Sequence, residues 1–270
     1  MRRRHFLAAA AWVGCGRAPA AEAPRTLRVV STSPSMTEIV FAVGRGASLV
    51  GRSSYCDYPE EAKAIEAVGG FSDPNVERIV ALQPTLVTGE RGPAGPELSA
   101  RLESLGIATY FPSIDRVADI ERAIRDLAAK VDATNAGEAV AAELSRRVAA
   151  VGARVASEKR PRAVFLFDFK PLIAAGPESF PSDALALAGA ENAVKTGSKY
   201  PTLGPEGLLA LDPDLIIDGS GGAYAESPDA LLRAITGLAD LRALREGRVV
   251  RLEGSAALRP GPRIAAGIEQ

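Results

Sequence analysis

Two stretches of this chain carry one pattern: NVERIVALQPTLV at 75–87 and GPEGLLALDPDLI at 204–216. Glutamate, Ala-Leu, proline and leucine fall at matching places in both, and Glu77 and Glu206 occupy the same point. In each copy a few helix-compatible residues run up to a proline, which stops the helix, and a β-branched or apolar run follows. A repeat at this separation restricts the chain to a fold of two similar halves. Each half must hold a short helix leading into a buried strand.

The rest of the chain supplies matching surroundings. LRVVST (27–32), SLVGR (48–52), TLVTG (85–89) and IATYF (107–111) read as short strands, separated by helical segments at 33–44, 76–83 and 97–105. Ser35 with Glu38 has the spacing of a capping box, and Gly44 ends the first helix. Helical patterning covers 116–131 and again 135–158, where Val140, Leu144, Val148, Val151 and Val155 recur at helical intervals. Asn135 and Glu138 repeat the capping-box spacing, and Pro161 breaks the run. A helix over 135–158 spans roughly 36 Å. Strand–helix order then resumes with AVFLF (163–167), a helix at 182–189, a short helix at 206–212, LIIDG (215–219) and RVVRL (248–252). Such alternation predicts parallel sheets flanked by helices. The expected architecture is α/β: two Rossmann-like lobes, 25–134 and 161–270, joined by one long α-helix at 135–160.

Residues 1–24 differ from the remainder. Three arginines precede an apolar run from Phe6 to Val13 and then small residues, the layout of an export signal. Arg3-Arg4-His5-Phe6-Leu7 is similar to a twin-arginine pattern, and Val13-Gly14-Cys15 to the end of a lipobox, with Cys15 as the acylated residue. Removing residues 1–14 takes away Arg2, Arg3 and Arg4, and the formal charge of −1 becomes −4. It also removes His5, the only histidine, and Trp12, the only tryptophan. A Ser-His-Asp triad and a histidine-ligated metal are then impossible. With Cys15 acylated, Cys56 is a lone thiol and a small packing residue. The near-neutral charge advertises no nucleic acid. Neither a dinucleotide fingerprint nor a P-loop occurs. The carboxylates Asp57, Glu90, Asp168 and Asp218 leave an α/β enzyme as a distant alternative, since nothing local brings any two together. A lipid-anchored accessory protein without a small ligand is another.

Ser33-Pro34, GRSSYCDYP (51–59), NVERIVALQPTLV, SLGI (104–107), GPEGLLALDPDLI and PRIA (262–265) together resemble the class III periplasmic substrate-binding proteins of ABC importers. The likeness is strongest to the members that bind cobalamin, and it covers nearly all of the chain after the leader. It implies a monomeric, exported protein that captures a corrinoid between its lobes and passes it to an ABC permease and its ATPase. The cargo is transported, so no resident cofactor or metal is implied. The resemblance assigns Glu77 and Glu206 to docking on a two-fold symmetric permease. Both lie in the first turn of a short helix, where a carboxylate gains typically about 0.3–1 kcal/mol from the helix dipole. It places Pro34, Tyr55 and Phe71 on one cleft wall, with Tyr200 and Arg259 on the other. Phe169 follows the first strand of the second lobe, with Phe167 as the alternative at that point. Tyr58, Tyr110 and Phe111 read as core. The chain departs from the cobalamin binders where Glu90 stands in place of a tryptophan and Ser255 in place of an aspartate, and Arg91 is the expected partner of Glu90. Haem held by a tyrosinate (Tyr55 or Tyr200) with arginines on its propionates is the second ligand implied, and an iron-siderophore the third.

Overall fold

The computed structural model describes residues 26–92 and 95–270. The basic leader and Cys15 lie outside the described residues. Among those described, no helix is long and apolar enough to cross a membrane.

The first half is built on four parallel strands. They are β1 (Val29–Ser31), β2 (Leu49–Arg52), β3 (Leu86–Thr88) and β4 (Ala108–Tyr110), in the order β2-β1-β3-β4. Helices α1 (Pro34–Ala42), α2 (Val76–Ala81) and α3 (Gly95–Ser104) connect them, and α4 (Val117–Lys130) follows the last strand. β1 is buried on both faces, which is why VVS reads as a continuous run rather than an alternation. The long helix α5 (Thr134–Val155) comes next; its 22 residues span about 33 Å.

The second half holds β5 (Arg162–Phe169), β6 (Leu172–Ala174), β7 (Glu191–Asn192), β8 (Thr202–Leu203), β9 (Leu215–Asp218) and β10 (Val249–Arg251). Their order is β10-β9-β5-β6-β8, with β7 on the start of β5. Its helices are α6 (Phe180–Leu187), α7 (Pro205–Leu211), α8 (Pro228–Arg233), α9 (Arg242–Arg245) and α10 (Ile264–Glu269). No strand of one sheet pairs with the other among the described residues, so the molecule is a two-lobed α/β fold. The second sheet is mixed, not wholly parallel: β6 runs antiparallel to both β5 and β8. Strands β6 and β8, three and two residues long, show no alternation legible in the sequence.

Local capping differs from the expectation at both candidate boxes. Ser33, not Ser35, caps α1, its hydroxyl accepting from the Met36 N–H. α5 begins at Thr134 without a side-chain cap, and Glu138 instead accepts a 3.0 Å hydrogen bond from Arg125 of α4. α4 and α5 pack closely because Gly137 has no side chain; a Cβ there would stand 2.3 Å from that of Ala128.

Glu38 is the larger departure. It is only 3% exposed and turns away from the helix start. Both its oxygens accept from Arg263, at 2.8 and 2.6 Å, and Arg259 approaches to 3.5 Å. Both arginines belong to the last segment of the second half. Arg263 also lies 3.8 Å above the ring of Tyr58, which is exposed rather than core. The apolar packing straddles the halves in the same place. Phe180 of α6 and Ile264, Ala265 and Ile268 of α10 join the cluster formed by Met36, Ile39, Ile120, Ile124, Leu127 and Leu144. Arg147 of α5 pairs with Glu269 of α10 at 2.5 Å. The Val117 N–H at the start of α4 donates to Asp183 of α6. The halves are therefore held by the rod and by a second, side-chain connection.

Cys56 is buried, and the Thr37 hydroxyl donates to its Sγ at 3.1 Å. Burial pushes its thiol pKa up.

Removing one member of a buried charge network leaves the other uncompensated. Glu38→Ala is expected to cost about 3 kcal/mol in urea unfolding followed by circular dichroism. A loss below about 1 kcal/mol would mean that water already screens the two guanidinium groups.

Candidate functional site

Every first-half strand in the sheet ends at the same rim, because the strands are parallel. Pro34 and Ser35 follow β1, Tyr55 follows β2, Glu90 follows β3, and Ile114 and Asp115 follow β4. The ends of β5, β9 and β10 bring Phe167, Gly221 and Ser255 to the facing rim. Between the rims lies a cleft of about 1020 Å³. Carboxyl ends of parallel strands are where α/β proteins take ligands, since loops there are free to vary while the sheet stays fixed.

The structure brings Pro34, Tyr55, Phe71, Tyr200 and Arg259 together on this cleft. Phe71 lies against Gly92, where a Cβ would stand 2.8 Å from the ring. Phe169 is not in the cleft. It is 2% exposed and packs in the core of the second lobe, edge-on to Tyr224 at 5.8 Å. The cause is a register irregularity in β5 between Leu166 and Asp168. A bulge adds one residue and flips the alternation of sides. Phe169 thereby falls on the face of Val164 and Leu166, and Phe167 is the residue that lines the cleft. The Phe167 ring stacks 5.0 Å from Phe165 and meets Tyr200 edge-on at 5.4 Å. Phe111 packs on Leu98 and Leu102, and the Tyr110 hydroxyl donates to Asp126.

The charges of the cleft are mostly matched. Lys199 pairs with Asp115 at 2.6 Å across the gap, a contact with no signal in the sequence because both residues sit in loops. Arg259 reaches from the second lobe to Asp57, and its hydrogen bond holds that carboxyl below the usual range. It also approaches the Tyr55 carbonyl and Glu38. Ser255 accepts from Arg263 at 3.1 Å. Glu90 is the exception. Its expected partner Arg91 makes no ion pair with it; Oε1 accepts a short hydrogen bond from the Ser35 hydroxyl instead. Burial raises the Glu90 carboxyl to about 7, and neither Ser35 nor Arg259 offsets this fully. Burial, with Glu90 and Asp115 nearby, also pushes the Tyr200 phenol up to about 12. The remaining carboxylates of the enzyme alternative are engaged separately: Asp168 with Tyr224, Asp218 with Arg251.

The repeated glutamates are structurally equivalent. Glu77 is the second residue of α2 and Glu206 the second of α7. Ile79 and Leu208, two residues on, are both fully buried. Each helix enters a parallel-sheet strand through a tight turn and so runs against it, which sets its first turn at the cleft-side rim. Both glutamates are exposed and form no ion pair among the described residues.

Relatives share this architecture. The profile of the periplasmic binding protein family matches residues 29–256. The vitamin B12-binding protein of Vibrio parahaemolyticus is 29% identical over 238 residues, which cover 87% of this chain and 84% of the relative. That of Salmonella typhimurium is 35% identical over 191 residues, covering 70% and 71%. Among solved structures, the periplasmic vitamin B12 binding protein BtuF of Vibrio cholerae is 28% identical with a TM-score of 0.79, over 90% of this chain and 94% of that one. The periplasmic heme-binding protein RhuT of Roseiflexus sp. RS-1 is also 28% identical, with a TM-score of 0.78 over 90% and 95%. With the family profile spanning both lobes and the intervening rod, this chain belongs to the periplasmic binding protein family.

Proposed function

We propose that this protein captures a corrinoid, cobalamin or a close relative, in the cleft and hands it to an ABC permease. The observation that carries the ligand assignment is the state of the cleft's cations. Arg259 is already matched by Asp57 and Glu38, and Lys199 by Asp115, which leaves Arg91 as the one lining cation without an ion pair among the described residues. A haem brings two propionates, each needing a cation free to receive it. A corrinoid presents mainly uncharged amides at its edge and asks for none. Aromatic faces from both lobes, Tyr55 and Phe71 opposite Phe167 and Tyr200, suit a flat macrocycle. The cleft is at the upper end of small-ligand sites, which run to about 1,000 Å³.

Haem is the second reading, favoured by the heme-binding protein among the similar structures. That reading calls on Tyr55 or Tyr200 as the tyrosinate ligand of the iron. Titration of the purified chain with cyanocobalamin and with hemin, followed by visible absorbance, separates the two. One-to-one saturation by cobalamin is expected; saturation by hemin alone reverses the assignment.

Export and acylation at Cys15 place the protein on the outer face of the cytoplasmic membrane in this reading. Delivery there uses Glu77 and Glu206 as two equivalent acidic contacts for a partner of two like halves. The rod and the Glu38 network favour small movements of the lobes over a wide clamshell. Glu77→Ala combined with Glu206→Ala is expected to leave cobalamin affinity unchanged and to abolish uptake in cells. Normal uptake by that double variant removes the docking role.

The two phenylalanines of β5 have separable roles. Phe167→Ala is expected to weaken cobalamin binding by about tenfold or more with little loss of stability. Phe169→Ala is expected to cost about 3–5 kcal/mol of stability and leave the affinity of the folded fraction intact. Exchange of these two outcomes would reverse the placement of the β5 bulge.

A further inference from the structure

Glu90 is a carboxylate on the cleft wall that forms no ion pair among the described residues. One of its oxygens has the Ser35 hydroxyl; Oε2 takes no hydrogen bond among the described residues. The groups that face it are Ser35 and Glu38 on α1, Arg259 from the opposite lobe and Tyr200 beside it. Arg259 is held by Asp57 and Glu38, and Glu38 adds a like charge behind. The other charged lining groups are the Asp115–Lys199 pair and the exposed Arg91. Arg259, already shared by two other carboxylates, is the one cation acting on Glu90, and the two form no ion pair.

A ligand that covers this wall strips water from Glu90 and supplies no positive charge in return. An ionised carboxylate in that position is costly, whereas a protonated one loses little and gains a donor. We infer that Glu90 meets the ligand as a neutral carboxylic acid, its hydroxyl donated from Oε2 to a carbonyl-type acceptor, so that capture is coupled to uptake of one proton. Its role is selective. It favours ligands with amide carbonyls at this edge and rejects those that bring a carboxylate, because two unpaired negative charges would then face each other. The inference rests on the cleft being the corrinoid site proposed above.

The sign of the pH effect follows from the upward-shifted carboxyl. In the free protein Glu90 changes charge near neutral pH. Binding pushes it further toward the protonated form. Affinity is therefore fully developed below about pH 7 and falls as pH rises beyond it, by at most tenfold per unit. No histidine lines the cleft among the described residues.

The test is the Kd for cyanocobalamin at pH 6 and at pH 8.5, with calorimetry in two buffers of different ionisation heat at pH 7.5. The expected result is binding about tenfold or more weaker at the higher pH, with up to about three-quarters of a proton taken up per ligand at pH 7.5. In Glu90→Gln the ratio of the two Kd values is expected to fall close to one, with proton uptake lost. A flat profile in the wild-type protein, or a slope that survives in Glu90→Gln, overturns the inference while leaving the corrinoid assignment in place. Absence of cobalamin binding at both pH values overturns the assignment itself, and this inference with it.

Discussion

The contact between Glu38 and Arg263 organises this molecule. It joins the first helix of one lobe to the last segment of the other, and it does so in a space nearly closed to water. Such a pair gives uncertain net stability, since desolvation opposes attraction. Its value here is positional. Two hydrogen bonds fix the guanidinium of Arg263 against Glu38, and Arg259, four residues earlier, approaches the same carboxylate. α10 is then seated on α5, with Ile264 and Ile268 in the apolar cluster of the first lobe. The lobes meet through shared core as well as through a connecting rod.

The cleft inherits its character from this arrangement. Arg259 is shared between Asp57 and Glu38, two carboxylates of the first lobe, and bridges the lobes at this wall. Lys199 and Asp115 close a second matched pair across the gap. With Arg259 and Lys199 paired, what remains is aromatic and aliphatic surface from both lobes, the exposed Arg91 and the unpaired acid Glu90. That combination discriminates by charge as much as by shape.

The sequence carried the fold to the extent that its signals were local or repeated. The duplicated helix–strand, the prolines that end each helix and the buried β-branched runs led to two lobes and a rod. Long-range pairings were not legible. Glu38 has the spacing of a capping residue, and only the approach of Arg263, 225 positions later, gives it a different partner. Phe167 and Phe169 are alternate residues of one strand, and a bulge invisible in the sequence decides which faces the cleft. Strands β6 and β8 are too short to show an alternation at all. Within the site, Pro34, Tyr55, Phe71, Tyr200 and Arg259 line the cleft, whereas the Ser35–Glu90 and Asp115–Lys199 contacts exist only once the loops are folded together.

The buried sulfur of Cys56 has a consequence for the redox chemistry of the folded chain. Thiol exchange and peroxide attack both require an accessible thiolate. Here the sulfur is sealed beneath α1 and kept protonated by its surroundings. A thiol so sheltered neither crosslinks neighbouring copies nor drifts toward sulfinic acid while the lobe stays folded.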